Sequence, residues 1–391
     1  MNILIAMDSL KGSLSSLEAN ESVKTGLLQA DPKFRIQTVP IADGGEGTVE
    51  ALVYATNGHF VETVVTGPLG NRIAAKYGIL GEEDSAVIEV AEACGLPLLQ
   101  KEQLNPQITT TYGVGELILD ALNKGCRHFI IGLGGSATND AGIGMLQALG
   151  YQFLNREGQE VGFGGGQLEE IAKIDSKHVS DKVKKATFRV ACDVNNPLYG
   201  TNGAAYIYGP QKGATPEMIQ ELDNGLRHFA NVVFEQMGLD LQNIAGAGAA
   251  GGLGAAFAGF LNSRLQSGVQ LILDINKLER KLMNVDLVIT GEGKLDGQTS
   301  MGKAPAGIAN LAKKRGIPVI ALAGDITDGQ RSLYDSGITA YFAIVGGPVS
   351  LEVALDRDVA RENLMRTAEQ IGRVWATASL NRSRDYETKK N

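Results

Sequence analysis

The chain has 391 residues and a formal net charge of −8, with 43% hydrophobic and 20% charged residues. This length accommodates two domains and a large core, and the acidic balance argues against a nucleic-acid partner. Cys94, Cys126 and Cys192 form no CxxC, the four histidines show no ligand spacing, and no stretch approaches the ~20 apolar residues of a membrane span; we therefore expect a cytoplasmic protein with no disulfide framework, zinc site or membrane partner.

The first 60 residues read as β-α-β-α. NILIAM is a short apolar run ending at Asp8, and a helix is expected from about Leu14 to Gln29, capped by Ser13 or Ser15. RIQTVPIA is a second strand, and GGEGTVEALVYATN opens a second helix at a glycine turn. Between Phe60 and Val90, apolar and polar residues alternate and turns interrupt them, which predicts strands with hairpin-like connections. TTTYGVGELILDALNKG predicts a helix capped by Thr110 or Thr111 and closed by Gly125, and HFIIGL predicts a buried strand. ATFRVACDVNNPLYG is a strand running into a polar loop. PEMIQELDNGLRHFANVVFEQMG is a long amphipathic helix with Pro216 near its start, and GAGAAGGLGAAFAGFLN leads from glycines into a helix of small residues. Beyond about residue 282 the βα rhythm returns with VDLVITGEG, PAGIANLAKKRG, IPVIALAGD and ITAYFAIV. One long helix, LEVALDRDVARENLMRTAEQIGRVWATA, follows, and the polar NRSRDYETKKN is expected to fray.

The fold class is therefore α/β. A Rossmann-like doubly wound domain is expected from both chain ends, residues 1–60 plus 283–391, with a large inserted α/β domain at residues 61–282.

In open parallel sheets, ligands sit beyond the carboxyl ends of the strands. Those ends carry Asp8, Ser9 and Lys11 in MDSLKGS, Asp43 and Glu46 in ADGGEG, Glu292, Lys294 and Asp296 in GEGKLDG, and Asp325. The inserted domain adds Asp193, Asn195 and Asn196 in CDVNNP. Singly, each has a capping or turn role. Together, beside fifty glycines, about twice the usual share of roughly 7%, they suit an oxyanionic substrate with Mg²⁺. GLGGSATNDAG follows the apolar strand FII as a phosphate cradle would, but it contains no lysine and the P-loop signature is absent. Phosphate held here would meet the backbone N–H groups of Gly134 and Gly135, the Ser136 and Thr138 hydroxyls, and Asn139 and Asp140, with any cation coming from elsewhere. A plain strand-to-helix turn is the alternative.

MDSLKGSLSS, PIADGGEGT, VTGPLG, TTTYGVGELI, GLGGSATNDAGIGML, ACDVNNPLYG, YGPQKGA, GAGAAGGLG and LVITGEGKLDGQT with MGKAP occur in that order from residue 3 to about 325. As a set they resemble the bacterial, type-1 glycerate kinase family, and no motif is broken. The resemblance implies a Rossmann-like domain with an inserted α/β domain. It implies ATP-dependent phosphorylation of D-glycerate, with the 2-phosphate as first choice and the 3-phosphate as alternative.

Phosphoryl transfer asks mainly for positioning and charge neutralisation. The expected roles are ATP-phosphate binding by Gly134–Asp140, and Mg²⁺ on a carboxylate such as Asp296, Glu292 or Asp193. Asp193 is the first choice of base for the glycerate hydroxyl and Asp8 the second, while Lys11 neutralises the substrate carboxylate or the migrating phosphoryl group. Ser9, Asp43, Glu46, Asn195 and Lys294 are expected to contact substrate. Rivals are a kinase for another small hydroxy acid and a non-catalytic sensor. The oligomeric state stays open, a homo-oligomer included.

Overall fold

The computed structural model describes residues 1–81, 84–297, 303–327 and 330–388, the backbone alone at 330 and 379–388. Gln298, Thr299, Met301 and Gly302 of the GEGKLDGQT and MGKAP motifs lie outside the described residues, as do Glu82 and Glu83 of the alternating region. The strands in chain order are β1 (Asn2–Met7), β2 (Arg35–Thr38), β3 (His59–Thr66), β4 (Arg72–Ile79), β5 (Ser85–Glu89), β6 (His128–Gly132), β7 (Gln152–Leu154), β8 (Lys173–Asp175), β9 (Thr187–Ala191), β10 (Arg264–Gln266), β11 (Leu287–Leu295), β12 (Val319–Ile326) and β13 (Ala340–Ala343). The chain divides into two compact units, residues 1–43 with 272–391, and residues 44–271.

The first unit is built on a five-stranded sheet in the order β13-β12-β11-β1-β2, parallel throughout. Renumbered within the unit this is the 2-1-3-4-5 order, the flavodoxin-like form of the doubly wound sheet rather than the six-stranded Rossmann order. Ile3, Ile5 and Met7 of β1, Leu287 and Ile289 of β11, and Ile320 and Leu322 of β12 share a buried face with Ala19, Val23 and Leu27 of the helix Ser16–Ala30. Leu364, Ala368 and Ile371 of the last helix complete that core. The first helix starts as its sequence directs: Ser15 accepts the Glu18 N–H while Glu18 reaches back to the Ser15 N–H, a reciprocal cap.

The second unit holds a six-stranded sheet in the order β10-β9-β6-β5-β4-β3. Strands β5, β6, β9 and β10 run parallel, and β3 and β4 form the antiparallel hairpin that the alternation predicts. The aromatic pairs Phe129–Phe188 and Phe229–Phe260 stack inside this unit, with centroids 5.0 and 6.1 Å apart.

Three features differ from the sequence reading. The helix Thr48–Thr56 falls in the second unit, so the units part at Asp43 and Leu271 rather than after residues 60 and 282. The reason is local: Gly78 of β4 offers a flat seat for Val49 and Val53 of that helix, where any side chain would collide with them. The final helix is two helices, Leu351–Leu355 and Arg357–Thr388, because the Asp356 carboxylate accepts the N–H groups of Asp358 and Val359, both at 3.0 Å. The backbone of the second runs on as helix to Thr388 where fraying was expected.

Gly26 faces the Met365 carbonyl so closely that a Cβ would run into it. Gly26→Ala should therefore lose roughly 1–3 kcal/mol by overpacking, despite the ~1 kcal/mol it gains in helix propensity. Urea unfolding measures the difference, and a more stable variant would show that the two helices do not approach as described.

Candidate active site

In the first unit the winding of the sheet reverses between β1 and β11. Open α/β sheets bind ligands outside the strand carboxyl ends at such a switch point. Here β1 delivers Asp8 and β11 delivers Glu292, both nearly buried at 6% and 8% exposure. The end of β1 is clamped from the first helix: Ser16 Oγ donates to the Met7 carbonyl at 2.7 Å, and Asn20 Oδ1 accepts the Met7 N–H at 3.3 Å. The Ser16 hydroxyl also accepts the Ile41 N–H at 2.9 Å, which ties in the segment after β2. Asp8 is therefore held rigidly, its own N–H on the Gly291 carbonyl and Oδ1 accepting the Ser9 N–H at 2.6 Å.

Burial, then the nearby charges of Asp43 and Glu292, push the Asp8 carboxyl up to about 7. Cations alternate with these carboxylates. Lys11 reaches Asp43 at 3.1 Å, and Lys303 reaches Glu292 at 3.3 Å and Asp296 at 3.7 Å. Lys294 pairs with Asp325 at 3.4 Å on exposed ends of adjacent strands. Among the described residues no group of three or more His, Cys, Asp and Glu side chains stands ready to hold a metal ion alone.

In the second unit the strand carboxyl ends are lined by backbone. Gly44 packs so tightly that a Cβ would sit 2.7 Å from Gly268 Cα and 2.8 Å from Ala191 Cβ, and one on Gly134 would sit 3.2 Å from Gly45 Cα. Glu89, at the end of β5, accepts the Val49 N–H at 2.9 Å. Burial, then Glu92 and Glu46, push its carboxyl up to about 7. Asp193, beyond β9, is exposed and accepts the Gly268 N–H at 3.0 Å. Each carboxylate thus satisfies the start of a helix from a neighbouring strand.

The glycine loop after β6 faces two ways. Gly134 and Gly135 are exposed, whereas Ser136 through Asp140 are buried. Asp140 accepts the Thr111 N–H at 2.9 Å, the Thr111 hydroxyl at 2.8 Å and the Gly142 N–H at 3.0 Å. Those bonds hold its pKa down against burial, which still leaves it raised. The Thr111 hydroxyl therefore serves Asp140 and accepts the Met145 N–H rather than capping its own helix, Tyr112–Asn123. Ala141 sits at φ 51°, a left-handed backbone that a non-glycine residue adopts at a cost of order 1–2 kcal/mol. The helix after the loop, Ile143–Ala148, begins too late for its N-terminus to serve Gly134.

The sheet ends thus gather Asp8, Ser9, Lys11, Asp43, Glu292 and Asp296 in one unit, and Gly134, Gly135, Glu46 and Asp193 in the other. Asn195 is exposed, while Thr138, Asn139 and Asp140 have no exposed surface. Two groups escape the sequence reading. Glu89 looks like an ordinary strand residue until its partner Val49 is known. Lys212 sits in a polar stretch, yet is 1% exposed, with Nζ 3.1 Å from Ser136 Oγ and 2.6 Å from the Thr138 carbonyl.

The sequence model of the glycerate kinase family matches residues 3–376. A Bacillus subtilis protein named glycerate kinase is 47% identical over 95% of this chain and 97% of its own length. One from Escherichia coli, named glycerate 2-kinase, is 45% identical over 97% of this chain and 100% of its own. A crystal structure described as glycerate kinase 2 from Salmonella typhimurium superposes with a TM-score of 0.89 at 44% identity, covering 97% of this chain and 99% of that one.

The raised Asp8 carboxyl fixes the sign of a pH effect. The folded chain keeps a proton that the unfolded chain releases near pH 4, so this group's stability contribution is full below pH ~4 and is lost as pH rises to about 7. Asp8→Asn should then raise the unfolding free energy by roughly 2–4 kcal/mol at pH 8 and leave it nearly unchanged at pH 4. Urea titrations at both pH values test this, and equal effects would mean that Asp8 ionises freely.

Proposed function

The chain belongs to the glycerate kinase family and is a kinase; on that footing we propose that it transfers the γ-phosphoryl group of ATP to the 2-hydroxyl of D-glycerate, giving 2-phosphoglycerate and ADP. The observation that carries the chemistry is Asp8, a rigidly held carboxylate at the sheet's switch point with a pKa of about 7. A general base works best when its pKa lies near the operating pH. Asp8 therefore takes the hydroxyl proton as the new O–P bond forms, in preference to Asp193, which is exposed and engaged with the Gly268 N–H. Lys11, beside Asp43, offers its ammonium to the glycerate carboxylate. Ser9, Asp43 and Lys294, all in the first unit, complete the polar contacts proposed for the substrate.

The Gly134 and Gly135 N–H groups receive phosphate oxygens, and the loop's shape is held by the Asp140 carboxylate, through Thr111 and Gly142, and by Lys212 on the Ser136 hydroxyl and the Thr138 carbonyl. Mg²⁺ fits the donor set of Glu292 and Asp296: a cation, the Lys303 ammonium, already lies within 4 Å of both carboxylates, and Mg²⁺ commonly takes one or two carboxylates plus substrate phosphates. Held there, it would supply charge neutralisation for a phosphoryl group in transit. The buried free thiols Cys94 and Cys126 support a cytoplasmic setting, and among the described residues no helix is long and apolar enough to cross a membrane.

A coupled ADP-release assay with D-glycerate, ATP and Mg²⁺, followed by phosphorus NMR of the product, tests the reading. The expected product shows the phosphorus coupled to the single proton on C2; coupling to a CH₂ would place the phosphate on O3, and no glycerate-dependent turnover would remove the substrate assignment. Asp8→Asn should lower kcat by about 10²–10⁴-fold, the range for loss of a general base, with little change in ATP affinity. If Asp193→Asn loses more, the base is Asp193.

A further inference from the structure

The loop from Leu133 to Gly142 carries no lysine of its own, but a lysine is built in beneath it. Lys212 ends the short turn Pro210–Lys212, its N–H bonded to the Gly209 carbonyl at 2.9 Å, and Gly213 leaves that turn at φ +90° against the Leu104 carbonyl. The side chain runs inward to the Ser136 hydroxyl and the Thr138 carbonyl, both neutral. Among the described residues its ammonium forms no ion pair. The charged or titratable groups that face it are Asp140, on the loop, and Cys94, on the helix Ala91–Cys94. A neutral amide could make the same two hydrogen bonds without the desolvation cost of a buried ammonium. A buried cation with no carboxylate at ion-pair distance, bonded to the loop just after its two exposed glycines, is suited to an anion arriving on the loop's exposed side.

We propose that Lys212 is a positioning residue for nucleotide phosphate: from behind the loop it fixes Ser136 and Thr138 and supplies the positive potential that draws terminal phosphates onto Gly134 and Gly135. This rests on the reading that the loop receives ATP. Burial lowers the Lys212 pKa to about 8, while burial raises that of Cys94 to about 12 and leaves Asp140 raised. In this neighbourhood Lys212 is therefore the group whose charge changes just above neutral pH.

The test is calorimetric titration of the wild type, Lys212→Gln and Lys212→Met with ATP, inorganic tripolyphosphate and adenosine, at pH 7 and pH 9.5, with thermal unfolding of each ligand-free protein. At pH 7 both variants should bind ATP and tripolyphosphate at least about tenfold more weakly, adenosine equally well, and should melt within a few degrees of the wild type or above it. Wild-type affinity for both phosphates should fall between pH 7 and 9.5, and variant affinity should not. Wild-type phosphate affinity in a folded variant overturns the proposal, as does a flat wild-type pH profile if neither variant folds. A wild type that binds neither ATP nor tripolyphosphate removes the phosphate reading of the loop and the inference with it.

Discussion

A parallel strand cannot turn straight back onto its neighbour, and this constraint orders both units. Each parallel strand must end in a loop that crosses over the sheet, so all the carboxyl ends open on one edge. In the first unit that edge collects Asp8 and Glu292 on adjacent strands, and in the second it collects Glu89, the Gly132–Gly135 segment and Asp193. The chemistry follows from the topology, since few other places in such a fold bring together residues so far apart in sequence.

The same edges are where the protein is least comfortable. Asp8 and Glu89 are held where ionisation is disfavoured, and Lys212 is held where its charge is. Ala141 adds a left-handed backbone. Each lowers the stability of the ligand-free chain near neutral pH, and each lies within a polar framework that leaves it little freedom to relax. Ser16 and Asn20 fix the strand before Asp8, and Asp140 fixes the turn after Thr138. Such trade-offs are typical of functional sites.

What could be read from the sequence divides along physical lines. The strands β1, β6, β9, β11 and β12 are apolar runs closed by polar turns, and the β3–β4 hairpin announces itself by alternation; these are local signals. Strands β7 and β8, three residues each, are too short to show a period. The break at Asp356 was hidden because an Asp inside a helical pattern looks like any exposed helix residue until its carboxylate is seen to cap. The seam near Asp43 was hidden because Val49 and Val53 form an apolar stripe whichever sheet they cover. At the candidate site, the placement of Asp8, Lys11, Asp43 and Glu292 at the sheet's carboxyl edge was legible from their position after apolar strands. The burial of Lys212 was not, since it arises from contacts some seventy-five residues away in sequence. Asp140 was legible as a polar residue but not in its direction, which is set by Thr111.

The pairing of β1 with β11, Ile3 against Leu287, has a consequence for synthesis on the ribosome. The first unit cannot close its sheet until residues near 287 emerge, and its core waits further for Leu364 and Ile371. At ~5–20 residues per second the apolar strand NILIAM spends roughly 15–60 s outside the exit tunnel with only β2 for a neighbour. The second unit, continuous from 44 to 271, has its whole sequence translated in that interval. The second unit can therefore complete its core before the first, and β1 is the apolar segment that waits longest for its partner.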